Sequence, residues 1–120
     1  MFGKENIIVD KSKSFAIRII KLYQYLTDTK KEYVMSKQVL RCGTSIGANI
    51  REAIRAQSKP DFYTKLYISL KEAEETLYWL ELLDECGYIE KTHFDSIYSD
   101  CQELVKILVA ITKNQGKTIS

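Results

Sequence analysis

The stretch that decides the fold is Ser36–Ala56, with the sequence SKQVLRCGTSIGANIREAIRA. It contains no proline to interrupt a helix, and at about 100° per residue its apolar side chains fall on one stripe. That stripe comprises Met35, Val39, Cys42, Ile46, Ile50 and Ala53. A second apolar stripe beside it comprises Leu40, Gly43, Gly47 and Ile54. Because an ordinary surface helix has a single apolar face, the two stripes predict a helix that is covered from two directions.

The glycines of the second stripe, Gly43 and Gly47, indicate a close approach by another element. Each costs about 1 kcal/mol relative to alanine inside a helix, but the missing Cβ lets a neighbouring backbone come near. The neighbour is either another copy of the chain or a bulky element of the same chain. The small-residue spacing rule comes mainly from membrane helices, so the spacing favours neither alternative.

Length and composition are typical of one globular domain over residues 1–120, with 45% hydrophobic and 28% charged residues. One proline and five glycines favour long helices. No apolar run is long enough for a transmembrane helix, and the N-terminal segment lacks the apolar core of a signal peptide. We therefore expect a cytoplasmic protein with no membrane partner.

The three cysteines, Cys42, Cys86 and Cys101, are odd in number and widely spaced, which favours reduced thiols. Cys42 and Cys101 lie on predicted core stripes, where cysteine behaves as a small hydrophobe.

The apolar periodicity predicts an all-α, up-down-up-down antiparallel four-helix bundle with short loops. The expected helices cover about residues 10–29, 36–57, 59–86 and 91–114. Residues 1–9 are expected to form an irregular arm, Ser58 to cap helix 3, and Gly87 to end it. The expected core stripes of helices 1, 3 and 4 are Phe15, Ile19, Leu22 and Leu26; Phe62, Leu66, Leu70, Ala73, Leu77 and Leu80; and Phe94, Ile97, Cys101, Leu104, Leu108 and Ile111.

The sequence contains no recognisable catalytic or metal-binding pattern. The only histidine, His93, follows Glu90 by three residues, but a di-iron bundle needs this Glu-x-x-His motif on two helices, and the chain has no second histidine. Glu52, Glu72 and Glu75 alone would make a poor transition-metal site. Ser45 lies in mid-helix without a histidine base. We expect no enzyme activity, no metal and no cofactor.

Charge is distributed unevenly along the chain. Residues 1–71 hold 14 Lys or Arg and 6 Asp or Glu, whereas residues 72–120 hold 4 and 10. A basic row lies opposite Ile46 on helix 2, with further cations on helix 1. Its members are Lys37, Arg41, Arg51, Arg55 and Lys59, with Lys11, Arg18 and Lys21. Such a row is either a phosphate-binding surface or a solvated bundle face. Arg41 has a further interpretation, an ion pair with Glu72 or Glu75 that fixes helix register.

Helix 3 also carries a second apolar row, Ile68, Trp79 and Leu82. Together with Leu40, Gly43, Gly47 and Ile54, these residues form a candidate interface between copies of the chain.

Three segments resemble the bacterial four-helix-bundle family of 23S rRNA intervening-sequence proteins. They are SFAIRIIKLYQYL, SKQVLRCGTSIGANIREA, and DFYTKLYISLKEAEETLYWLELL followed by GYI. The similarity covers about residues 6–112. It implies a left-handed antiparallel four-helix bundle. Relatives of that family include the accessory protein of diversity-generating retroelements, a ring of five bundles whose basic surface engages nucleic acid and a reverse transcriptase. The resemblance thus implies a homo-oligomer, specifically a pentamer, while the motif residues Gly43, Ser45, Gly47, Asn49 and Glu52 are interpreted as packing residues.

The functional hypothesis from the sequence is a non-enzymatic oligomeric bundle that binds RNA or DNA weakly and largely without sequence preference. The alternative is a scaffold ring that docks a partner protein and has no role with nucleic acid.

Overall fold

Four α-helices and no strand make up residues 3–114, the part of the chain that the computed structural model describes, with side chains described from residue 7. The helices are α1 (Gly3–Asp28), α2 (Met35–Ile54), α3 (Lys59–Glu85) and α4 (Lys91–Thr112). They form a rod of 52 × 21 × 19 Å. The predicted all-α fold class is confirmed.

Each helix packs against its neighbours in chain order, and α4 closes the circle against α1. Within residues 3–114, no Cα atom of α1 lies within 8 Å of one in α3, and the same holds for α2 and α4. The contacts between α1 and α2 run in reverse residue order. Gly43 faces Ile19, for example, whereas Gly47 faces Ser12.

The core lies along the axis enclosed by the four helices. The predicted stripes of α1 and α4 are buried in full, from Phe15 to Leu26 and from Phe94 to Ile111. On α2, every member of the first stripe is buried except Met35, which is half-buried. Cys42 and Cys101 are buried in the core as expected.

The first helix begins at Gly3, so the expectation of an irregular arm over residues 1–9 was wrong for residues 3–9; residues 1 and 2 lie outside the described range. Ile8 is fully buried and continues the stripe of Phe15 one heptad towards the N-terminus. Ser12 occupies the stripe between them and is 1% exposed. Because Ser12 is polar, the apolar pattern of the sequence is interrupted there, and the buried stripe of α1 could not be traced from Phe15 back to Ile8.

On α3 the buried stripe differs in part from the prediction. Leu66, Ala73 and Leu80 are buried as expected, whereas Phe62, Leu70 and Leu77 are only half-buried. The other buried positions are Tyr63, Ser69, Thr76 and Leu83. Two of these are polar and were missed for that reason. Ser69 Oγ donates to the Ile46 carbonyl at 2.8 Å and Thr76 Oγ1 to the Glu72 carbonyl at 2.7 Å, so each hydroxyl is buried with a partner.

The ends of α3 match the prediction, and α2 begins at Met35, within one residue of its expected start. Ser58 Oγ accepts from the Asp61 N–H at 3.2 Å, and Gly87 has φ +81°. At α2, Ser36 is fully buried and its hydroxyl has no hydrogen-bond partner, so it does not cap the helix. Glu32 caps it instead. Its carboxylate accepts from the backbone N–H groups of Val34, Met35 and Ser36, at 3.0, 3.0 and 2.7 Å.

The C-terminal end of α2 lies at Ile54 rather than near Gln57. The N–H groups of Arg55 and Ala56 bond to carbonyls only three residues back, those of Glu52 and Ala53. This tightening ends the α-helix before the Ser58 cap of α3.

Candidate nucleic-acid and subunit surfaces

Two of the candidate cations on α1, Lys11 and Arg18, face α4 and are paired with acidic side chains. Lys11 Nζ lies 3.2 Å from Glu103 Oε1. Arg18 Nη1 lies 2.6 Å from Asp100 Oδ2 and donates to Ser96 Oγ at 3.1 Å. A carboxylate beside each cation offsets its attraction for a phosphate.

Arg41 on α2 is paired with α3, as the register interpretation predicted. Its guanidinium contacts Glu75 and lies 3.4 Å from Glu72 Oε1. Glu75 also accepts from Trp79 Nε1 at 3.1 Å. Partial desolvation lowers the pKa of Arg41, but the carboxylates of Glu75 and Glu72 outweigh it and raise the pKa overall. Arg41 therefore acts mainly in an α2–α3 link.

A second group of exposed cations has no ion pair within residues 7–114. They include Lys21, Lys37, Arg51 and Arg55 from the predicted row and Lys13 on α1. Lysines elsewhere are likewise exposed without an ion pair, namely Lys30, Lys31, Lys71, Lys106 and Lys113. Lys59, the first residue of α3, does not belong to this group, because it interacts with another group of the protein. Lys13 was missed because it is not on the helix-2 row, and only the packing of α1 on α2 brings it to the same surface.

A groove of about 290 Å³ runs between α1 and α2. We call it the α1–α2 groove, and its lining residues are Val9, Ser12, Lys13, Ala16, Thr44, Gly47, Ala48 and Arg51. Lys13 comes from α1 and Arg51 from α2, and the lining holds no carboxylate. This groove is therefore positive in charge.

The groove between α1 and α4 has a different electrostatic character. One part, of about 310 Å³, is lined by Lys11 and Arg18 but also by Asp10, Asp100 and Glu103. A second part, of about 390 Å³, is lined mainly by apolar and paired groups: Ile7, Lys11, Glu103, Lys106, Ile107 and Ala110. Cations and carboxylates alternate here, so this groove has no strong preference for an anion.

The two glycines proposed for the subunit interface pack against the same chain. A Cβ on Gly43 would lie 2.8 Å from Ile19 Cγ1, and a Cβ on Gly47 would lie 3.2 Å from Ser12 Oγ. Of the two alternatives left open by the spacing, the structure supports the one within the chain. Both glycines let α2 approach α1.

The remaining candidate interface residues are covered to different extents. Leu40, Ile54 and Trp79 are half-buried and pack against the core of their own chain, and Leu82 is half-buried as well. Ile68 is 36% exposed. The larger exposed apolar side chains on the helices lie elsewhere: Ile17 and Ile20 on α1, Tyr67 and Tyr78 on α3, and Val109 on α4.

The thiols are poor nucleophiles at two of the three positions. Burial raises the pKa of the Cys42 thiol to about 11 and also raises the pKa of the Cys101 thiol. Only Cys86 is exposed. In the described part of the chain, no three His, Cys, Asp or Glu side chains come together as metal ligands. None of the helices described has the length and apolarity needed to cross a bilayer.

Comparison with known proteins places this helical bundle among relatives. A family model described as 23S rRNA-intervening sequence protein matches residues 4–110. A crystal structure of a protein with unknown function from the S23 ribosomal protein family of Bacteroides thetaiotaomicron VPI-5482 is similar, with a TM-score of 0.91 and 56% sequence identity. The match covers 92% of this chain and 98% of that one. No curated protein matches the chain.

Proposed function

Because the chain belongs to the 23S rRNA-intervening sequence protein family, we propose that it is a non-enzymatic, oligomeric helical bundle that binds RNA or DNA weakly and largely without sequence preference. A cytoplasmic location is part of this proposal.

The observation that carries the proposal is the surface of unpaired cations on α1 and α2. Lys37 and Arg51 on α2, Arg55 at its C-terminal cap and Lys13 on α1 are exposed and have no carboxylate partner in the described chain. Contacts from such cations to phosphates carry no sequence information. Four contacts to a single strand would give a slope of about −3 for log affinity against log salt concentration. This slope is consistent with weak binding.

The cations of the predicted row that are paired with a carboxylate are expected to contribute less to nucleic-acid binding than the unpaired ones. Lys11, Arg18 and Arg41 each have a carboxylate within ion-pair distance. A phosphate would have to compete with that carboxylate and separate the pair. We therefore assign the binding chiefly to the unpaired cations.

The experiment is a filter-binding titration of labelled single-stranded RNA and DNA at several salt concentrations. We expect Arg51→Glu with Arg55→Glu to abolish most of the retention at low salt. The matched control is Lys71→Glu with Lys106→Glu, which makes the same charge change on exposed positions of α3 and α4. Unchanged retention by the first double variant would rule out the nucleic-acid proposal.

Assembly forms a second part of the proposal: an up-down-up-down, left-handed bundle that forms a homo-oligomer, specifically a pentamer. The reversed residue pairings between successive helices support the topology. Exposed apolar side chains, among them Ile17, Ile20 and Ile68, support burial against another copy.

Light scattering of the purified protein tests the assembly. We expect an oligomer that Ile68→Lys dissociates and that Val34→Lys leaves intact, because Val34 lies in the connector before α2 and is 72% exposed. A monomer at micromolar concentration would contradict this part of the proposal.

The alternative function, a scaffold that docks a partner protein, is favoured by one observation. Tyr67, Tyr78 and Val109 expose apolar surface on α3 and α4, away from the α1–α2 groove. A protein that fails to retain nucleic acid at any salt concentration but forms the oligomer would fit this alternative.

A further inference from the structure

The α1–α2 groove is open at the surface because several of the side chains that line it are small. Gly47 has no Cβ, and a Cβ there would lie 3.2 Å from Ser12 Oγ. Ala16 and Ala48 add only a methyl group each. Gly47 and Ser12 are already in contact, so a ligand can lie only in the open surface groove beside them and not between the two backbones.

The hydrogen-bond donors that remain available in the groove are the two cations. Ser12 Oγ already donates to the Val9 carbonyl at 3.1 Å, and Thr44 Oγ1 donates to the Leu40 carbonyl at 2.7 Å. Lys13 and Arg51 have no ion pair within the described residues. The groove thus lacks the neutral donor and acceptor set that reads base edges, while it retains two positive charges.

The charge of its lining residues distinguishes the α1–α2 groove from the α1–α4 groove. In the α1–α4 groove Lys11 is paired with Glu103 and Arg18 with Asp100, and Asp10 also lines it, whereas the lining of the α1–α2 groove holds no carboxylate. An anion entering the α1–α2 groove meets attraction from both walls without a competing acid. Arginine binds phosphate through two parallel N–H donors, and lysine adds a point charge.

We propose that the α1–α2 groove binds one backbone phosphate of RNA or DNA between Lys13 and Arg51. This site rests on the proposed function and narrows it to a single anchoring position. Arg55, the C-cap residue of α2 four positions after Arg51, is also exposed and adds a cation near the C-terminal end of the helix.

The experiment measures fluorescence anisotropy of a labelled 20-nucleotide single-stranded RNA, and of DNA with the same sequence, across salt. We expect Lys13→Glu and Arg51→Glu each to weaken binding about tenfold or more at low salt. Neutral Lys13→Gln should weaken it less and reduce the salt slope by about one. Ala48→Leu keeps the net charge but fills the groove, and we expect a loss of several-fold.

Two comparisons make the test specific to the groove. Lys71→Glu and Lys106→Glu on α3 and α4 make the same charge changes away from it and should weaken binding much less. Inorganic tripolyphosphate should displace the RNA from the wild-type protein more effectively than from the Ala48→Leu variant. Circular dichroism melting confirms that each variant is folded; if Lys13→Glu fails to fold, Lys13→Gln and Ala48→Leu decide the matter.

The outcomes separate the site from the broader proposal. If the wild-type protein binds neither RNA nor DNA, the proposed function and the site both fail. If it binds both, and Lys13→Gln and Ala48→Leu bind as well as wild type while Arg55→Glu does not, the groove site is refuted and the proposed function stands. Equal losses for RNA and DNA support a backbone phosphate, and a loss confined to one of them overturns it.

Discussion

At the scale of single residues, Gly43 marks the tightest contact between α1 and α2. A Cβ at this position would lie 2.8 Å from Cγ1 and 3.0 Å from Cγ2 of Ile19, a side chain that is completely buried. Because a buried β-branched side chain has little room to move, Gly43→Ala should destabilise the protein by roughly 1–3 kcal/mol in spite of the gain in helix propensity. Urea denaturation followed by circular dichroism measures the change.

Gly47 provides the matched control on the same helix face. A Cβ there would meet the Ser12 hydroxyl at 3.2 Å and the Ser12 Cβ at 3.5 Å, which is a smaller overlap. Alanine also gains about 1 kcal/mol of helix propensity over glycine. Gly47→Ala should therefore be near neutral or slightly stabilising, and equal destabilisation by both substitutions would contradict this account.

Lys31 is the one non-glycine residue with positive φ in the described chain, at 55°. It follows α1, where the Glu32 N–H donates to the Leu26 carbonyl at 2.9 Å. Glycine at this position would remove the steric cost of the left-handed conformation, but it would also make the unfolded chain more flexible. We expect the first effect to be larger, so Lys31→Gly should raise the free energy of unfolding by about 0.5 kcal/mol.

The neighbouring substitution Lys30→Gly is the comparison for Lys31→Gly. Lys30 has no positive φ, so glycine there adds only unfolded-state entropy and should destabilise. Thermal melting of the two variants distinguishes them by the sign of the change in melting temperature.

At the scale of the helices, the start of α2 depends on a carboxylate two residues before the helix cap. Glu32 is 8% exposed and accepts three backbone N–H groups. Removing it leaves those donors without a partner near the positive end of the helix dipole. Glu32→Ala should cost about 1–2 kcal/mol of stability, at the upper end of the range for helix caps.

Glu90 before α4 is the control for Glu32. It occupies the N-cap position of α4, but its side chain makes no capping hydrogen bond. Glu90→Ala should therefore change the urea midpoint much less than Glu32→Ala. Similar shifts in the two variants would mean that the carboxylate acts by charge alone.

The helices themselves could be predicted because their apolar periodicity extends over many turns. The errors occurred where a polar side chain occupies a buried position: Ser12 on α1, and Ser69 and Thr76 on α3. Each of these hydroxyls satisfies its hydrogen bond through a backbone carbonyl, at Val9, Ile46 and Glu72 respectively. A pattern search that reads polar as exposed misses such residues. Glu32 was missed for the same reason, since it lies in a charged connector.

At the scale of the whole molecule, the buried thiols predict a loss of stability at alkaline pH. Burial raises the pKa of Cys42 to about 11 and raises the pKa of Cys101 also, from an ordinary value of about 8.5. Below about pH 8.5 the thiols are protonated in both states and contribute no pH dependence. Above it the unfolded chain loses its protons first, so the free energy of unfolding falls as pH rises towards 11.

The measurement is urea denaturation between pH 8 and 11, with the slope compared between variants. Tyr98 acts in the same direction but at higher pH. Its hydrogen bond to Glu81, followed by burial, raises its pKa to about 12. We expect Cys42→Ala with Cys101→Ala to flatten the slope below pH 11, and Cys86→Ser, at an exposed position, to leave it unchanged. A slope that persists in the double variant would assign the pH dependence to other groups.

The candidate site could be predicted only in part, because its charge depends on how helices pack. The row on α2 and the pairing of Arg41 with α3 followed from the sequence, but the carboxylates that pair with Lys11 and Arg18 come from α4. Pairing across helices separated by many residues leaves no local pattern. The contribution of Lys13 also requires the α1–α2 packing, and no spacing rule within one helix reveals it.

The part of the α1–α4 groove lined by Ile7 and Ala110 shows that the first turns of α1 lie beside the last turns of α4. The N-terminal end of α1 and the C-terminal end of α4 therefore lie at one end of the 52 Å rod. A short linker should join them, and new termini opened between α2 and α3 should then give a circular permutant that still folds. By the same geometry the whole bundle is suited to grafting into a surface loop of another protein as a single folded insert.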